Sequence, residues 1–218
     1  MSEKIILFDL DGTLIDSTDA ILHCFERAFD RYGDEKRDEQ KIKELIGFPL
    51  DVMFERLGIA KEVVWDYVDA YKECYRKISK QKTELLPDAK EAIEEASKFA
   101  RLGIVTTKTA RYSKELLEHM DVMKYFEVLI GREDVREPKP HPEPILLALK
   151  KLQIYTQDNV FMIGDTFLDL QSAISAKVTP IAVLSGYGKE SELKKYTNLV
   201  VKNSLEAVKM IVTLSNKS

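Results

Sequence analysis

The sequence predicts an α/β fold, in which a Rossmann-like parallel sheet carries an inserted helical domain, on the basis of three observations. Short apolar runs alternate with helix-like segments from about residue 85 onward, and this alternation is typical of βαβ units and a parallel sheet. Another short apolar run, with the character of a buried strand, stands at the start of the chain. Between them, residues 17–82 show helical spacing of apolar residues and no strand-like segment.

The first strand is the apolar run that ends at Asp9 and Asp11. Residues 16–18 (Asp-Ser-Thr) are typical of a helix N-terminus, and the apolar residues after them recur at helical spacing until Gly33. Further helices are predicted in the same stretch at 39–46, 50–57 and 61–79. The helices between 17 and 82 therefore form a block of their own.

Strands and helices alternate in the remainder of the chain. The predicted strands are 102–106, 128–131, 159–163, 180–184 and 198–201. The predicted helices are 88–99, 111–119, 142–152, 168–176 and 204–214. Because the first strand belongs with the later ones in a single sheet, we expect a discontinuous α/β core domain, 1–16 and 83–218, and a helical cap domain, 17–82, joined by two hinges.

The composition indicates an ordinary globular protein. The 218 residues are 44% hydrophobic and 32% charged, with a net charge of −4. This balance argues against a nucleic-acid partner, and no apolar run approaches the roughly 18 residues that a membrane span requires. Without a signal-peptide pattern, we expect a cytoplasmic protein in which Cys24 and Cys74 are thiols. Both a monomer and a homodimer stay open.

Two carboxylates follow the first strand at close spacing. Asp9 and Asp11 are two residues apart, so on an extended strand they would point to the same face. Like charges at this distance repel, and burial increases the cost of both, so a metal ion, a lysine or both are expected to compensate them. Gly12 permits a tight turn just beyond the strand. The alternative is that these acids only end a strand and form a turn.

The ends of later strands also carry polar residues, where open parallel sheets bind their ligands. Thr106 and Thr107 end the second strand ahead of Lys108, and they could bind an anionic oxygen or simply cap a helix. Lys139 follows the third strand between two prolines that stiffen its loop. His141 lies nearby, although a single loop histidine is more typical of a cap or surface residue.

The fourth strand ends in a second acidic pair. Asp165 follows this strand and Asp169 comes four residues later, so the two would face one way if Thr166 opens a helix. Oxygen ligands with few His or Cys residues favour Mg²⁺, and Mg²⁺ with a lysine and hydroxyls suits a phosphoryl group. One aspartate could act as a nucleophile and a second as a general acid and base.

The motifs D-L-D-G-T, T-T-K, K-P and G-D-T-x-x-D occur in this order at strand ends, and together they resemble the haloacid dehalogenase superfamily from Phe8 to about Gly188. The helical insert resembles the small helical caps of that superfamily. The segment A-V-L-S-G-Y-G resembles phosphoglycolate-phosphatase-like hydrolases. The resemblance implies a Mg²⁺-dependent phosphatase that acts on a small phosphorylated metabolite, such as phosphoglycolate.

The resemblance also implies a role for each motif residue. Asp9 would be the nucleophile, and Asp11 the general acid and base. Thr106 and Lys139 would hold the transferring phosphoryl group, and Lys139 would also offset the charge of Asp9. The implied metal ligands are Asp9, Asp11 through its backbone carbonyl, Asp165 and Asp169. The implied substrate- and phosphate-binding residues are Gly12, Thr13, Thr106, Thr107 and Lys139.

Departures from the family pattern bear on the activity. Many relatives carry Asn where Thr107 stands. Dehalogenase members lack an acid at the position of Asp11, so this residue favours phosphate chemistry. β-Phosphoglucomutase-like members carry a histidine where Ile21 stands, and His23 would lie roughly 200° away around the helix. A phosphatase is therefore favoured, with a phosphomutase, a pyrophosphatase or a non-catalytic phosphate-binding regulatory protein as alternatives. The loop 47–50 is expected to reach the substrate.

Overall fold

The computed structural model describes residues 3–35 and 37–215. Within them the strands are β1 Lys4–Phe8, β2 Ile15–Asp16, β3 Glu84–Leu85, β4 Ala100–Val105, β5 Phe126–Ile130, β6 Val160–Gly164, β7 Thr179–Val183 and β8 Val200–Val201. The α-helices are α1 Thr18–Tyr32, α2 Glu39–Lys43, α3 Leu50–Arg56, α4 Val64–Ile78, α5 Ala89–Ser97, α6 Ala110–His119, α7 Glu143–Lys151, α8 Phe167–Ser175, α9 Glu190–Leu193 and α10 Ser204–Ser215.

Six strands form a parallel sheet in the order β5-β4-β1-β6-β7-β8, which confirms the predicted α/β fold. β1 lies in its interior. Ile5 and Leu7 belong to one hydrophobic layer, and Ile6 and Phe8 to another, because alternate side chains of a strand point to opposite faces. A strand that is covered on both faces needs apolar residues throughout, which explains the uninterrupted run in the sequence.

The register of the sheet places the ends of three strands at the same level. Phe8 of β1 pairs with Ile104 of β4 and with Ile163 of β6. The segments that follow these strands therefore leave the sheet at a common edge. This edge is where the polar residues of the predicted site begin.

The two connections between the sheet and helices α1–α4 pair with each other. β2 and β3 form an antiparallel ribbon in which Ile15 lies opposite Leu85 and Asp16 opposite Glu84. The sequence did not predict these strands, because two residues are too few to show an alternating pattern. Their pairing also joins segments from the two sides of a long helical stretch. The ribbon holds the two ends of that stretch side by side.

Helices α1–α4, which we call the helical segment, pack around a cluster of aromatic rings. The ring of Phe25 in α1 lies 4.5 Å from that of Phe54 in α3 and 5.1 Å from that of Tyr71 in α4, measured between centroids. α2 ends and α4 begins three residues inside their predicted bounds. The division of the chain into core and cap domains stays a prediction.

The two cysteines lie on facing helices of the helical segment. Cys24 is buried and Cys74 half-buried, both are free thiols, and their sulfur atoms are 2.6 Å apart. The short helix α9 was not predicted, since its four residues are too few to show a helical period. Among the described residues, no helix combines the length and the apolar character that crossing a membrane requires.

Candidate active site

Four charged side chains meet at the C-terminal edge of the sheet. Asp9 directly follows β1, Asp165 directly follows β6, Asp169 lies in the first turn of α8, and Lys139 lies in the loop before α7. Each has an exposed fraction of 4% or less. The structure thus brings together four residues that the sequence nominated from separate motifs. Charges buried to this degree need partners of opposite sign.

Lys139 supplies the cation of this cluster. Its Nζ atom lies 2.8 Å from Asp9 Oδ1 and 2.5 Å from Asp169 Oδ1, and it donates a third hydrogen bond of 3.0 Å to the carbonyl of Val105. All three donors of the ammonium group are therefore used. Burial alone would lower the pKa of Lys139, but the charges of Asp169 and Asp9 raise it above its ordinary value. The lysine stays protonated.

The three carboxylates of Asp9, Asp165 and Asp169, which we call the buried triad, carry more negative charge than one lysine can offset. They offer oxygen atoms that all lie within 4.8 Å of one another. Burial and the nearby charge of Asp169 raise the pKa of Asp9 to about 7, against the lowering effect of Lys139. Burial and the charges of Asp169 and Asp9 raise the pKa of Asp165 well above its ordinary value. The buried triad therefore favours a further cation.

Hydrogen bonds fix the orientation of two members of the buried triad. Asp165 accepts hydrogen bonds of 2.9 Å from the hydroxyl of Thr13 and from the backbone N–H of Tyr187. Asp169 accepts a bond of 3.0 Å from the backbone N–H of Thr166 and one of 2.7 Å from its hydroxyl. Thr166 is thus the N-cap of α8, which meets the condition under which the sequence placed Asp165 and Asp169 on one side. In this orientation Asp165 and Asp169 each offer one carboxylate oxygen to the group of oxygens that lie within 4.8 Å of one another.

Gly12 allows the turn after β1 to approach Asp165 closely. Its φ angle is +81°, and a Cβ atom at this position would overlap the Asp165 carboxylate. Both facts exclude larger residues, because a side chain disfavours this backbone conformation and no space exists for it. The predicted tight turn at Gly12 therefore serves the placement of the acidic cluster.

Asp11 has partners of its own, separate from those of Asp9. Its carboxylate lies 3.2 Å from Lys108 Nζ and accepts a hydrogen bond from the Ser17 hydroxyl. The expectation that Asp9 and Asp11 share one face assumed a continuing strand, but β1 ends at Phe8. The side chain of Asp11 is not part of the buried triad. Its expected contact with a metal, through the backbone carbonyl, stays a prediction.

Sequence reasoning missed the part that Ser17 plays. The sequence predicted it as a helix cap, and it does precede α1, but its hydroxyl makes no capping hydrogen bond and reaches Asp11 instead. From the sequence, Lys108 is predicted only as a cation near a strand end. Burial would lower the pKa of Lys108, but the Asp11 charge and the adjacent Tyr75 raise it above its ordinary value. Only the folding of the chain could reveal either contact with Asp11.

The two threonines after β4 face different surroundings. Thr106 is buried, and its hydroxyl accepts a hydrogen bond of 3.2 Å from the backbone N–H of Lys108. Thr107 donates a hydrogen bond of 2.9 Å to the carbonyl of Gly47, in the loop between α2 and α3. Thr107 therefore links the sheet edge to the helical segment. Phosphate binding by Gly12, Thr13, Thr106 and Thr107 stays a prediction.

A cavity of about 380 Å³ opens beside Asp11 and Lys108. Its other walls are formed by the loop between α2 and α3, by α3 and α4, and by residues at the start of α6. Gly47, Phe48 and Leu50 line it, which places three residues of the loop 47–50 at the candidate site. Among the described residues that line this cavity, Asp11 is the one predicted to be catalytic.

Neither histidine that the sequence raised takes part in this site. His141 is exposed, and its Nδ1 atom accepts a hydrogen bond of 3.2 Å from the backbone N–H of Glu143 at the start of α7. This is the capping alternative that the sequence left open. Ile21 lines the cavity, whereas His23 lies in a separate depression with Arg27 and Glu73.

Comparison with known proteins places these features in a wider group. The profile of a family described as haloacid dehalogenase-like hydrolase matches residues 6–183. The protein named "Putative pyrophosphatase PpaX" of Caldanaerobacter subterraneus subsp. tengcongensis is 34% identical, over 82% of this chain and 80% of its own. The phosphoglycolate phosphatase of Escherichia coli (strain K12) is 30% identical, over 84% of this chain and 81% of its own.

A solved structure shares the architecture over most of the chain. The hydrolase of the haloacid dehalogenase-like family from Streptococcus pneumoniae superposes with a TM-score of 0.86 at 27% identity. The superposition covers 95% of this chain and 98% of the other. The sheet and the helical segment described above therefore recur together in that protein.

Proposed function

The chain belongs to the haloacid dehalogenase-like hydrolase family and is a phosphatase of phosphoric monoesters, and from this premise we propose that it uses Mg²⁺ and an aspartyl-phosphate at Asp9 to hydrolyse a small phosphomonoester. The observation that carries the proposal is the different placement of two aspartates. Asp9 is buried against Lys139 in the triad, whereas Asp11 lines the cavity where a leaving group could lie. This difference supports a nucleophilic role for Asp9 and a proton-transfer role for Asp11.

The buried triad fits a hard cation. Asp9, Asp165 and Asp169 supply closely grouped carboxylate oxygens, which are the ligands that Mg²⁺ prefers. A bound Mg²⁺ would offset the charge of the carboxylates and of the phosphoryl oxygens. The raised pKa values of Asp9 and Asp165 support this assignment, because they reflect burial first and then negative charge that Lys139 leaves uncompensated.

The first step joins the phosphoryl group to the protein. A carboxylate oxygen of Asp9 attacks phosphorus, the bond from phosphorus to the ester oxygen breaks, and Asp11 gives its proton to the departing alcohol. Lys139 holds the Asp9 carboxylate through a bond of 2.8 Å and can also contact a phosphoryl oxygen. Lys108 and Ser17 hold the Asp11 carboxylate in the cavity wall.

The second step releases phosphate. Asp11, now ionised, takes a proton from a water molecule, whose oxygen attacks phosphorus and displaces Asp9. Inorganic phosphate leaves and both aspartates return to their starting states. We propose that residues 17–82 act as a cap domain that excludes bulk water during both steps. The hydrogen bond from Thr107 to Gly47 joins this segment to the sheet edge.

The experiment that tests the proposal compares the wild type with Asp9→Asn on a panel of phosphomonoesters with Mg²⁺. We expect Mg²⁺-dependent phosphate release by the wild type and its loss in the variant, together with a phosphorylated Asp9 peptide in acid-quenched wild type by mass spectrometry. Asp158→Asn, at an exposed site, is the matched control. Full activity in Asp9→Asn would refute the aspartyl-phosphate mechanism.

A pyrophosphatase is the second candidate, because a relative at 34% identity carries that name. Pyrophosphate belongs in the same panel, and a higher specificity constant for it than for any monoester would favour this candidate. A phosphomutase would isomerise sugar phosphates instead of releasing phosphate. Ile21 in the cavity wall, with His23 outside it, supports a hydrolase over a mutase. A binding protein would show no Mg²⁺-dependent turnover of the panel.

A further inference from the structure

The cavity beside Asp11 has walls that are chiefly apolar. Its volume of about 380 Å³ falls in the range of sites for small organic ligands, about 300–1,000 Å³. If Asp11 protonates the leaving oxygen, the alcohol part of the substrate must lie in this cavity. The apolar wall residues include Ile21, Phe48, Met53, Trp65, Tyr71 and Tyr112. Such walls stabilise an apolar body and give little to a hydrated one.

The charges around the cavity balance one another. Lys72, Lys108 and Arg132 line it, and so do Asp11, Asp51 and Glu133. Lys108, the cation beside Asp11, is already paired with it at 3.2 Å. Arg132 donates a hydrogen bond of 3.2 Å to the carbonyl of Val135. The described lining therefore offers no excess of positive charge for a leaving group that carries a carboxylate or a second phosphate.

One residue of the wall, Tyr75, carries a buried hydroxyl. Tyr75 has an exposed fraction of 2%, and its hydroxyl makes no hydrogen bond of ordinary geometry to any described residue, with Lys108 adjacent to it. The ring is held by stacking on Tyr71, with 5.7 Å between centroids, and by the Lys108 ammonium 4.4 Å from its centroid. A buried hydroxyl normally has a partner of good geometry, and because Tyr75 belongs to the cavity lining, a polar group of a ligand in the cavity is the partner that we consider.

We infer that the substrate is a phosphomonoester whose alcohol has a mainly apolar body, an aromatic ring or a branched aliphatic chain, with one polar group that hydrogen-bonds to Tyr75. The inference rests on the proposed phosphatase function. It distinguishes this chain from an enzyme whose substrate is the phosphate ester of a two-carbon hydroxy acid, such as phosphoglycolate. A short carboxylate would leave much of the cavity unfilled and would place its charge against aromatic rings. Tyr75 would be a residue that determines specificity.

The experiment measures kcat/KM with Mg²⁺ for benzyl phosphate, 3-methylbutyl phosphate, hydroxybenzyl phosphates, phosphoglycolate and pyrophosphate. We expect the apolar esters to exceed phosphoglycolate and pyrophosphate by about 100-fold or more. At least one hydroxybenzyl isomer should exceed benzyl phosphate, and Tyr75→Phe should remove about tenfold of that preference. Preference for phosphoglycolate or pyrophosphate would overturn the inference, and an unchanged hydroxyl preference in Tyr75→Phe would overturn the role of Tyr75.

A second variant keeps the test decisive if Tyr75→Phe fails to fold. Leu50→Arg adds a cation to the half-buried rim of the cavity, and it should shift the preference toward phosphoglycolate. Val52→Arg, on the same helix but outside the cavity lining, should leave the preference as in the wild type. Equal preferences in both arginine variants would contradict the inference. If instead the wild type turns over no compound of the panel in a way that depends on Asp9, the proposed function is refuted.

Discussion

Raising the pH of the metal-free protein from 5 to 7 should destabilise it through Asp9. The pKa of Asp9 in the folded chain is about 7, above the ordinary value of 3.8, chiefly because of burial and the charge of Asp169. Between these two values the folded state binds more protons at Asp9 than the unfolded state does. The stability that this proton provides is therefore lost as the pH rises toward the folded pKa, and it stays lost above it.

The magnitude follows from the linkage between proton binding and folding. Each pH unit in which one group binds a proton only in the folded state changes the unfolding free energy by about 1.4 kcal/mol. Because Asp9 is already half ionised at its folded pKa of about 7, the interval between pH 5 and 7 corresponds to about 2 kcal/mol from this residue. The lowered pKa of Glu73, about 2, lies outside this window and does not oppose the effect.

The assay is urea denaturation at pH 5, 7 and 8 in the presence of EDTA. Asp9→Asn removes the titrating group, so its stability should fall less over the same range than that of the wild type. Asp158→Asn, which changes an exposed carboxylate, should follow the wild type. Mg²⁺ at about 100 times its dissociation constant should restore about 2.7 kcal/mol to the wild type at pH 8. Identical pH profiles for wild type and Asp9→Asn would refute the reasoning.

Three further predictions concern single side chains. Asp11→Asn should lower the rate of Asp9 phosphorylation about 10²–10⁴-fold for alkyl phosphates but much less for p-nitrophenyl phosphate, whose leaving group needs no proton; single-turnover kinetics, which precede the water step that uses Asp11 as a base, would show equal losses if the acid role were wrong. Lys139→Met should cost about 3–5 kcal/mol in urea denaturation at pH 8, since Asp9 and Asp169 lose their cation; an unchanged midpoint would contradict this. Thr107→Val removes the hydrogen bond to the Gly47 carbonyl, worth about 1 kcal/mol, and should raise KM severalfold. Thr107→Ser keeps the hydroxyl and should leave KM unchanged.

The sequence predicted the parallel sheet and the residues at its edge because both depend on short-range patterns. A strand covered on two faces must be apolar throughout, and the runs before Asp9 and Asp165 have this character. Strand ends in a parallel sheet share one edge, so the motifs could be grouped before any distance was known. The β2–β3 ribbon escaped prediction because its stability comes from pairing across the helical segment rather than from local pattern.

By itself, then, the sequence determined which residue types stand at the strand ends and, through their order, the family. Tertiary structure alone decided their partners. It joined Lys139 to Asp9 and Asp169, turned Ser17 from a helix cap to Asp11, and left the Tyr75 hydroxyl in a cavity wall without a hydrogen bond of ordinary geometry to any described residue. The physical reason is that a side chain's electrostatic and hydrogen-bonding surroundings come from residues far away in the chain, whereas strand and helix formation depends largely on neighbours in sequence.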